Sequence, residues 1–327
     1  MRKILLIVLC VIITFSACKK NKKEEKNNKK IATVESAPSF NADSAFYFVK
    51  AQTDFGPRIP NSVAHKTCAS FLTNCLKRFC DTVIVQSFVA TTYDGNKLNS
   101  FNIIGSFSPE KEKRVLLAAH WDSRHIADHD PVPEKRTLPI DGANDGASGV
   151  GVLLEIARQL SIKNASIGVD IIFFDAEDYG TPSGENIQGD WWCLGSQYWA
   201  RNPHRPNYHA TFGILLDMVG APDAQFFQEG FSSQYAQHVL SKVWSKAFRL
   251  GYQTYFINKP SNYITDDHYY VNRIARIPMI NIVHQDNNTG TGFNYTWHTT
   301  MDNISNIDKN TLSAVGITVL SVIYSEN

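Results

Sequence analysis

The chain has 327 residues, 43% of them hydrophobic and 12% aromatic, with a formal net charge of +1. That length supports one large domain or two small ones with an ample core. The near-neutral balance excludes an electrostatic case for a nucleic-acid partner.

The N-terminal stretch "MRKILLIVLCVIITFSACKK" carries two early positive charges, an apolar run from Ile4 to Phe15 and small residues before Cys18. It reads as a secretory signal, too short for a comfortable membrane span. It resembles a bacterial lipoprotein signal over residues 1–18, in which Cys18 becomes the lipidated mature N-terminus. Phe15 departs from that pattern, which favours Leu there. An uncleaved anchor and a plain signal peptide are the alternatives. All three readings put the rest of the chain outside the cytoplasm, and lipidation would tie it to a bacterial membrane, facing the periplasm or the cell surface. The run "KKNKKEEKNNKK", Lys19 to Lys30, can bury nothing, so residues 19–38 are expected to form a disordered tether. Residues 39–327 remain as a single folded domain, with no internal repeat.

The first helices are expected in "NADSAFYFVKAQTDFG", which opens on possible caps, and in "SVAHKTCASFLTNCLKRF". Cys68 and Cys75 of the second would share one face as small buried residues. With Cys80 and Cys193 they make an even number in an oxidising compartment, where pairing is possible, but structural roles are the expectation and no connectivity follows. "DTVIVQSFVATT" and "NSFNIIGSF" then read as strands joined by "YDGNK", a hairpin-type connection.

From there strands and helices alternate. "RVLLAAH" is a buried strand ending at His120; "GVGVLLEIARQL" is a helix. "GVDIIFFDAED" is a strand expected to end at Asp175 to Asp178, and "FGILLDMVG" one that ends at Asp217. The helix "QYAQHVLSKVWSKAFRLG", the strand "RIPMINIVH" and the helix "DKNTLSAVGITVLSVIY" complete the chain. This pattern predicts an α/β fold: a mostly parallel, mixed central sheet with helices on both faces and a ligand site at the carboxyl ends of the strands.

Between the His120 strand and its helix lies "IDGANDGASG", Ile140 to Gly149, dense in charge and poor in side chains. Such residues form loops and helix N-caps, which is one explanation. The other comes from what converges on the same edge. His120 in "AAHWDSR", Glu177 and Asp178 in "FFDAEDYG" and Asp217 in "LLDMVGA" all end strands, Asp145 hangs over that edge, and "TWHTTMDN" supplies His298. Imidazole and carboxylate ligands without Cys suit a catalytic zinc that keeps one position open.

These ordered motifs, from "FGPRIPNS" to "WHTTMDNISNID", resemble the M28 family of zinc-dependent aminopeptidase-like proteins and, within it, the glutaminyl-peptide cyclases of animal and bacterial type. The resemblance implies that Asp145, Asp178 and His298 bind zinc and that Glu177 is the acid/base. Peptidases of this fold carry a second zinc on residues matching His120, Asp145 and Asp217. The cyclases keep these positions with a single zinc. Asp122 in "HWDSR" reads as an orienter of His120 in preference to a ligand, because imidazole ligands commonly hand their other nitrogen to a carboxylate. Trp297 beside His298, Phe293 four residues earlier, Asp266 and Asp267 in "TDDHYY" and "LLDMVGAP" favour the cyclase branch. There are departures: Asp178 replaces the usual Glu, Asn281 stands where animal cyclases carry a His, and Trp191 and Trp192 compete for the second aromatic wall.

The resemblance implies closure of an N-terminal glutamine of a peptide or protein to pyroglutamate with loss of ammonia. Zinc would polarise the amide, Glu177 move the proton, and Asp217 with Asp266 or Asp267 hold the amine. The alternatives are a two-zinc aminopeptidase and a non-catalytic peptide-binding lipoprotein. His65, His125, His129, His204, His209 and His268 are read as surface or loop residues, with support of the site as the alternative for His268. "RHIADHDPVPEKR" offers a metal His125, Asp128 and His129, but its Pro and charges read more simply as an exposed loop, and Asp141 reads as a cap or turn residue in preference to a support of the site.

Overall fold

The computed structural model describes residues 37–326. The signal, Cys18 and the tether up to residue 36 lie outside the described residues. The hairpin forms as expected: β1 (Thr82–Thr91) pairs antiparallel with β2 (Lys97–Phe107) in continuous register from Thr82 opposite Ser106 to Thr91 opposite Lys97. β3 (Arg114–His120), β4 (Gly168–Phe174), β5 (Phe212–Asp217) and β8 (Met279–Val283) are the apolar runs, and they lie parallel. The sheet order is β1-β2-β4-β3-β5-β8, with β2 antiparallel to β4, so the sheet is mixed and mostly parallel. A short parallel pair, β6 (Phe226–Gln228) and β7 (Phe256–Pro260), stands apart from it.

Alternation along each strand divides the core in two. Val115, Leu117 and Ala119 of β3, with Val169, Ile171 and Phe173 of β4, face the larger cluster. That side is covered by α1 (Ala42–Thr53), α2 (Val63–Phe79), α3 (Ala147–Ile162), α5 (Gly230–Arg249) and α7 (Lys309–Ile323). Leu116, Ala118, Ile172 and Phe174 face the other side, where Trp199 of α4 (Leu194–Arg201) and Val271, just beyond α6 (Asp267–Tyr270), form a thinner layer. Asp170 points into this thinner layer and is satisfied there by Arg114 (2.5 and 2.8 Å), Ser106 (2.6 Å) and Tyr208 (2.6 Å).

Two expectations need correction. β4 stops at Phe174, and the chain turns through Ala176 at φ +53°, so the acidic pair sits in a turn beyond the strand. The cap explanation for the glycine-rich stretch also fails, because α3 begins after Gly146 (φ +98°) with no side-chain cap. Its small residues serve close packing. A Cβ on Gly149 would lie 2.3 Å from the Leu216 carbonyl oxygen, and one on Gly146 would lie 2.6 Å from that of Asp122. Asn144 Oδ1 accepts from Gly220 N (2.8 Å), and Ser148 Oγ from Val219 N (2.9 Å), which stitches this loop to the chain that follows Asp217.

Cys68, Cys75, Cys80 and Cys193 are all free thiols. Burial pushes the Cys68 thiol up to about 12 and that of Cys75 to about 11, so both are inert small apolar side chains.

Gly149→Ala forces a methyl against the β5 backbone. It is expected to lower unfolding free energy by about 2 kcal/mol, the scale of core overpacking, read from urea midpoints at unchanged slope.

Candidate metal centre and active site

The parallel register sets His120 opposite Phe174, and the turn after Phe174 carries Glu177 and Asp178 over the same edge. Each loop there is gripped by a buried carboxylate from elsewhere. Asp122 accepts from the backbone N–H groups of Glu177 and Asp178, both at 3.1 Å. Asp302 accepts from those of Asn144 (2.7 Å) and Asp145 (3.0 Å). His298, at φ +54°, has its Nδ1 3.4 Å from Asp128 Oδ1, and Asp128 is held by Arg124 at 2.9 and 2.7 Å. Burial opposes ionisation of Asp128, but Arg124 and His298 together hold its carboxyl well below the usual range.

These supports bring the expected ligands together. His298 Nε2 lies 3.3 Å from Asp178 Oδ1 and 3.6 Å from Asp145 Oδ2. A tetrahedral zinc with bonds of about 2.0–2.1 Å separates its ligand atoms by about 3.3–3.4 Å, so the donor set fits. Both Asp178 oxygens are buried without a hydrogen-bond partner, the Arg124 guanidinium standing off at 3.7 Å from Oδ1, which leaves the carboxylate open to a cation. A second group shares Asp145: His120 Nε2 is 3.0 Å from Asp145 Oδ1 and 3.3 Å from Asp217 Oδ1. Asp122 stands 3.6 Å from His120 Nδ1, the orienting position.

Glu177 touches neither ligand triplet closely. Its Oε2 is 4.0 Å from His120, and its Oε1 accepts from the Cys193 thiol at 3.2 Å. Burial, opposed by His120 and reinforced by Asp178, Asp266 and Asp267, pushes the Glu177 carboxyl well above its ordinary value. Burial likewise raises Asp217 to about 7. Asp145, Glu177, Asp178, Asp217 and Asp266 converge on one cavity of about 210 Å³. So many carboxylates in so small a volume call for a cation.

The cavity wall places the members of the two open pairs differently. Asp266 lines it, while Asp267 is fully buried behind, its carboxyl raised well above the ordinary value by burial and by Asp266. Asn281, in the strand position noted above, donates to Asp266 Oδ2 at 2.5 Å. Trp192 is the second aromatic wall, its ring parallel to His298 at 6.0 Å and under the Arg124 guanidinium at 4.6 Å. A Cβ on Gly180 would fall 1.9 Å from that indole, so Gly180 makes room for it. Trp191 is a correction. It turns away, donating to the Gln188 carbonyl (3.0 Å), and is absent from the cavity lining. Phe293 and Trp297, 4.7 Å apart, also line the cavity.

Several supports escaped the sequence reading. His65 and His268 are fully buried, not surface residues: His65 pairs with Asp175 (2.9 Å) and His268 with Glu229 (2.9 Å). Glu229 also accepts from Phe231 N (2.8 Å), Ser232 N (2.7 Å) and Ile264 N (2.9 Å), tying α5 to the loop that leads to Asp266. Nor is "RHIADHD" a plain exposed loop, since Arg124 is buried, Asp128 backs His298 and the His125 ring stacks on Tyr179 at 3.9 Å. The spacing of Arg124 and Asp128, four residues apart beside the strand-end His120, was the available signal. Asp141 meets the site only through its backbone carbonyl, which accepts from the buried Arg58. A larger cavity of about 470 Å³ lies between α2 and the hairpin, lined by Lys66, Ser70, Lys77, Val85 and Phe101, but among the described residues no carboxylate or imidazole lines it.

Residues 102–323 match the model of peptidase family M28. Among solved structures, the chain is 56% identical to a Zn-dependent exopeptidase from Parabacteroides distasonis, covering 89% of this chain and 100% of that one with a TM-score of 0.88. It is 54% identical to the glutaminyl cyclase of Tannerella forsythia, over 89% and 100% of the two chains, with a TM-score of 0.87. The glutaminyl-peptide cyclotransferase of Drosophila melanogaster is 26% identical over 279 residues, 77% of this chain and 72% of the relative. With that match over residues 102–323, and with two candidate ligand triplets that share Asp145 at the strand ends, the chain belongs to peptidase family M28.

Proposed function

We propose that this protein is a glutaminyl-peptide cyclotransferase, converting the N-terminal glutamine of peptides and proteins to pyroglutamate with release of ammonia. The observation that carries this reading is a cavity of about 210 Å³ in which an unligated Glu177 faces Asp266 and Asp217 between aromatic walls. That volume takes one residue, and cyclisation needs both reacting groups of that residue inside. The 54% identity to a glutaminyl cyclase over 89% of the chain supports it.

In this reading Asp145, Asp178 and His298 hold a single zinc. When bound, it supplies Lewis-acid polarisation of the side-chain amide carbonyl. Asp266 and Asp217 accept hydrogen bonds from the α-amine and fix its approach to the amide carbon. As the new N–C bond forms, Glu177 takes a proton from the attacking nitrogen. It returns that proton to the departing amide nitrogen, which leaves as ammonia. Burial and neighbouring carboxylates raise the Glu177 carboxyl, which strengthens it as the base that takes the amine proton, and the departing nitrogen, more basic than a carboxylate, draws that proton back. Trp192, Phe293 and Trp297 exclude water, the competing nucleophile. Because both reacting groups belong to one residue, orientation supplies much of the acceleration.

The His120, Asp145 and Asp217 group favours a second reading, a two-zinc aminopeptidase. In that case Glu177 would serve an attacking water. We propose further that the chain is exported and lipid-anchored through Cys18, on the strength of the "FSAC" signal end and the charged run after it.

A Gln-initiated peptide should release ammonia with its chain length intact, and the protein as purified should hold close to one zinc per chain. Chain shortening with two zinc ions would establish the peptidase instead. Glu177→Gln should lower kcat by about 10²–10⁴-fold with zinc content unchanged. Trp192→Ala should raise KM for the same peptide, whereas Trp191→Ala should leave both constants near wild type; the reverse order would refute the wall assignment.

A further inference from the structure

The catalytic cavity holds about one residue, so the remainder of a peptide must leave it in some direction. A second cavity, of about 370 Å³, adjoins it and shares Ile264, Thr265 and Phe293 as a common wall. The segment Asn262–Thr265 lines this second cavity and runs directly into Asp266. An α-amine held on Asp266 would set the N-terminal residue next to Thr265 and Ile264, the wall that the two cavities share.

The cleft is polar but uncharged. Asn262, Thr265, Gln285, Asn287 and Thr291 bring amides and hydroxyls, Tyr263, Ile264 and Phe293 add apolar surface, and among the described residues no charged side chain lines it. This contrasts with the carboxylate-rich catalytic cavity next door. Gln285 is only 4% exposed, and its Nε2 is buried without a hydrogen-bond partner. A buried amide donor in that condition is rare unless something else serves it. The groups that match such a lining are peptide carbonyls and N–H groups, which are polar, uncharged and present in every sequence.

We propose that this cleft is a binding site for the main chain of the two or three residues after the N-terminal glutamine. The substrate class is thereby an extended peptide or protein N-terminus, in preference to a dipeptide, with selectivity resting on chain length more than on side-chain charge. This inference rests on the cyclase reading.

The test measures ammonia release from Gln-Ala amide and Gln-Ala-Ala-Ala amide by the wild-type protein, by an Asn262→Ala/Asn287→Ala double variant and by Gln285→Ala. Both asparagines are exposed, so the double variant keeps the experiment decisive should Gln285→Ala fail to fold. In the wild type kcat/KM should be about fivefold to tenfold higher for the longer peptide, the scale of one or two net hydrogen bonds, and the gain should lie in KM. In the double variant the ratio should fall towards one. Equal kcat/KM for the two peptides in the wild type, or a ratio that neither variant alters, would overturn the cleft assignment while leaving the cyclase reading standing. Ammonia from neither peptide would sink that reading, and this inference with it.

Discussion

The catalytic edge depends on buried carboxylates that accept backbone N–H groups from distant loops. Asp122 grips the turn of Glu177 and Asp178, Asp302 the loop of Asp145, and Glu229 the start of α5 together with Ile264. A buried carboxyl that accepts two backbone N–H groups is costly to remove, because in a dry interior its loss leaves those donors without a partner. Loops that would otherwise fray are fixed to the ends of rigid strands. The precision that a metal site and an acid/base require is set by these supports as much as by the ligands.

The same design concentrates negative charge. Asp145, Asp178 and Asp217 approach two imidazoles, and Glu177 and Asp266 lie close by. Burial raises several of these carboxyls, Asp217 to about 7. A cation offsets that repulsion and turns a destabilising cluster into a binding site. The two supporting histidine pairs, His65 with Asp175 and His268 with Glu229, lie one layer further out and hold the turn and the amine-side loop without touching the ligands.

Asymmetry of the sheet's two faces explains where the cavity opens. The larger helical layer, around α3 and α7, gives the sheet its stiffness, and the glycines of the Asp145 loop let α3 approach β5 closely. The thinner layer, around α4 and the segment after α6, leaves the strand ends accessible. Trp192, Phe293 and Trp297 then narrow the opening. One ligand shell therefore suits two chemistries, peptide hydrolysis and lactam closure, and the walls and the number of ions decide between them.

Much of this was legible in the amino-acid order. Apolar runs alternating with helical periodicity determined a mostly parallel sheet, and strand-end placement determined that His120, Asp145, Glu177, Asp178 and Asp217 would share an edge, because parallel strands point their carboxyl ends one way. His298, Asp266, Phe293 and Trp297 followed from their motifs. The choice of Trp192 over Trp191 and of Asp266 over Asp267 was not legible: adjacent residues differ there only in which way the backbone turns. Asp302 and the Glu229 and Asp175 partners of the buried histidines also escaped, since a carboxylate whose partner lies 35 to more than 150 positions away leaves no local pattern, whereas Asp128 did leave one in its i, i+4 spacing from Arg124. Residue type and periodicity act over a few neighbours and can be read from the chain. Which polar group meets which across the fold is decided only when the elements pack.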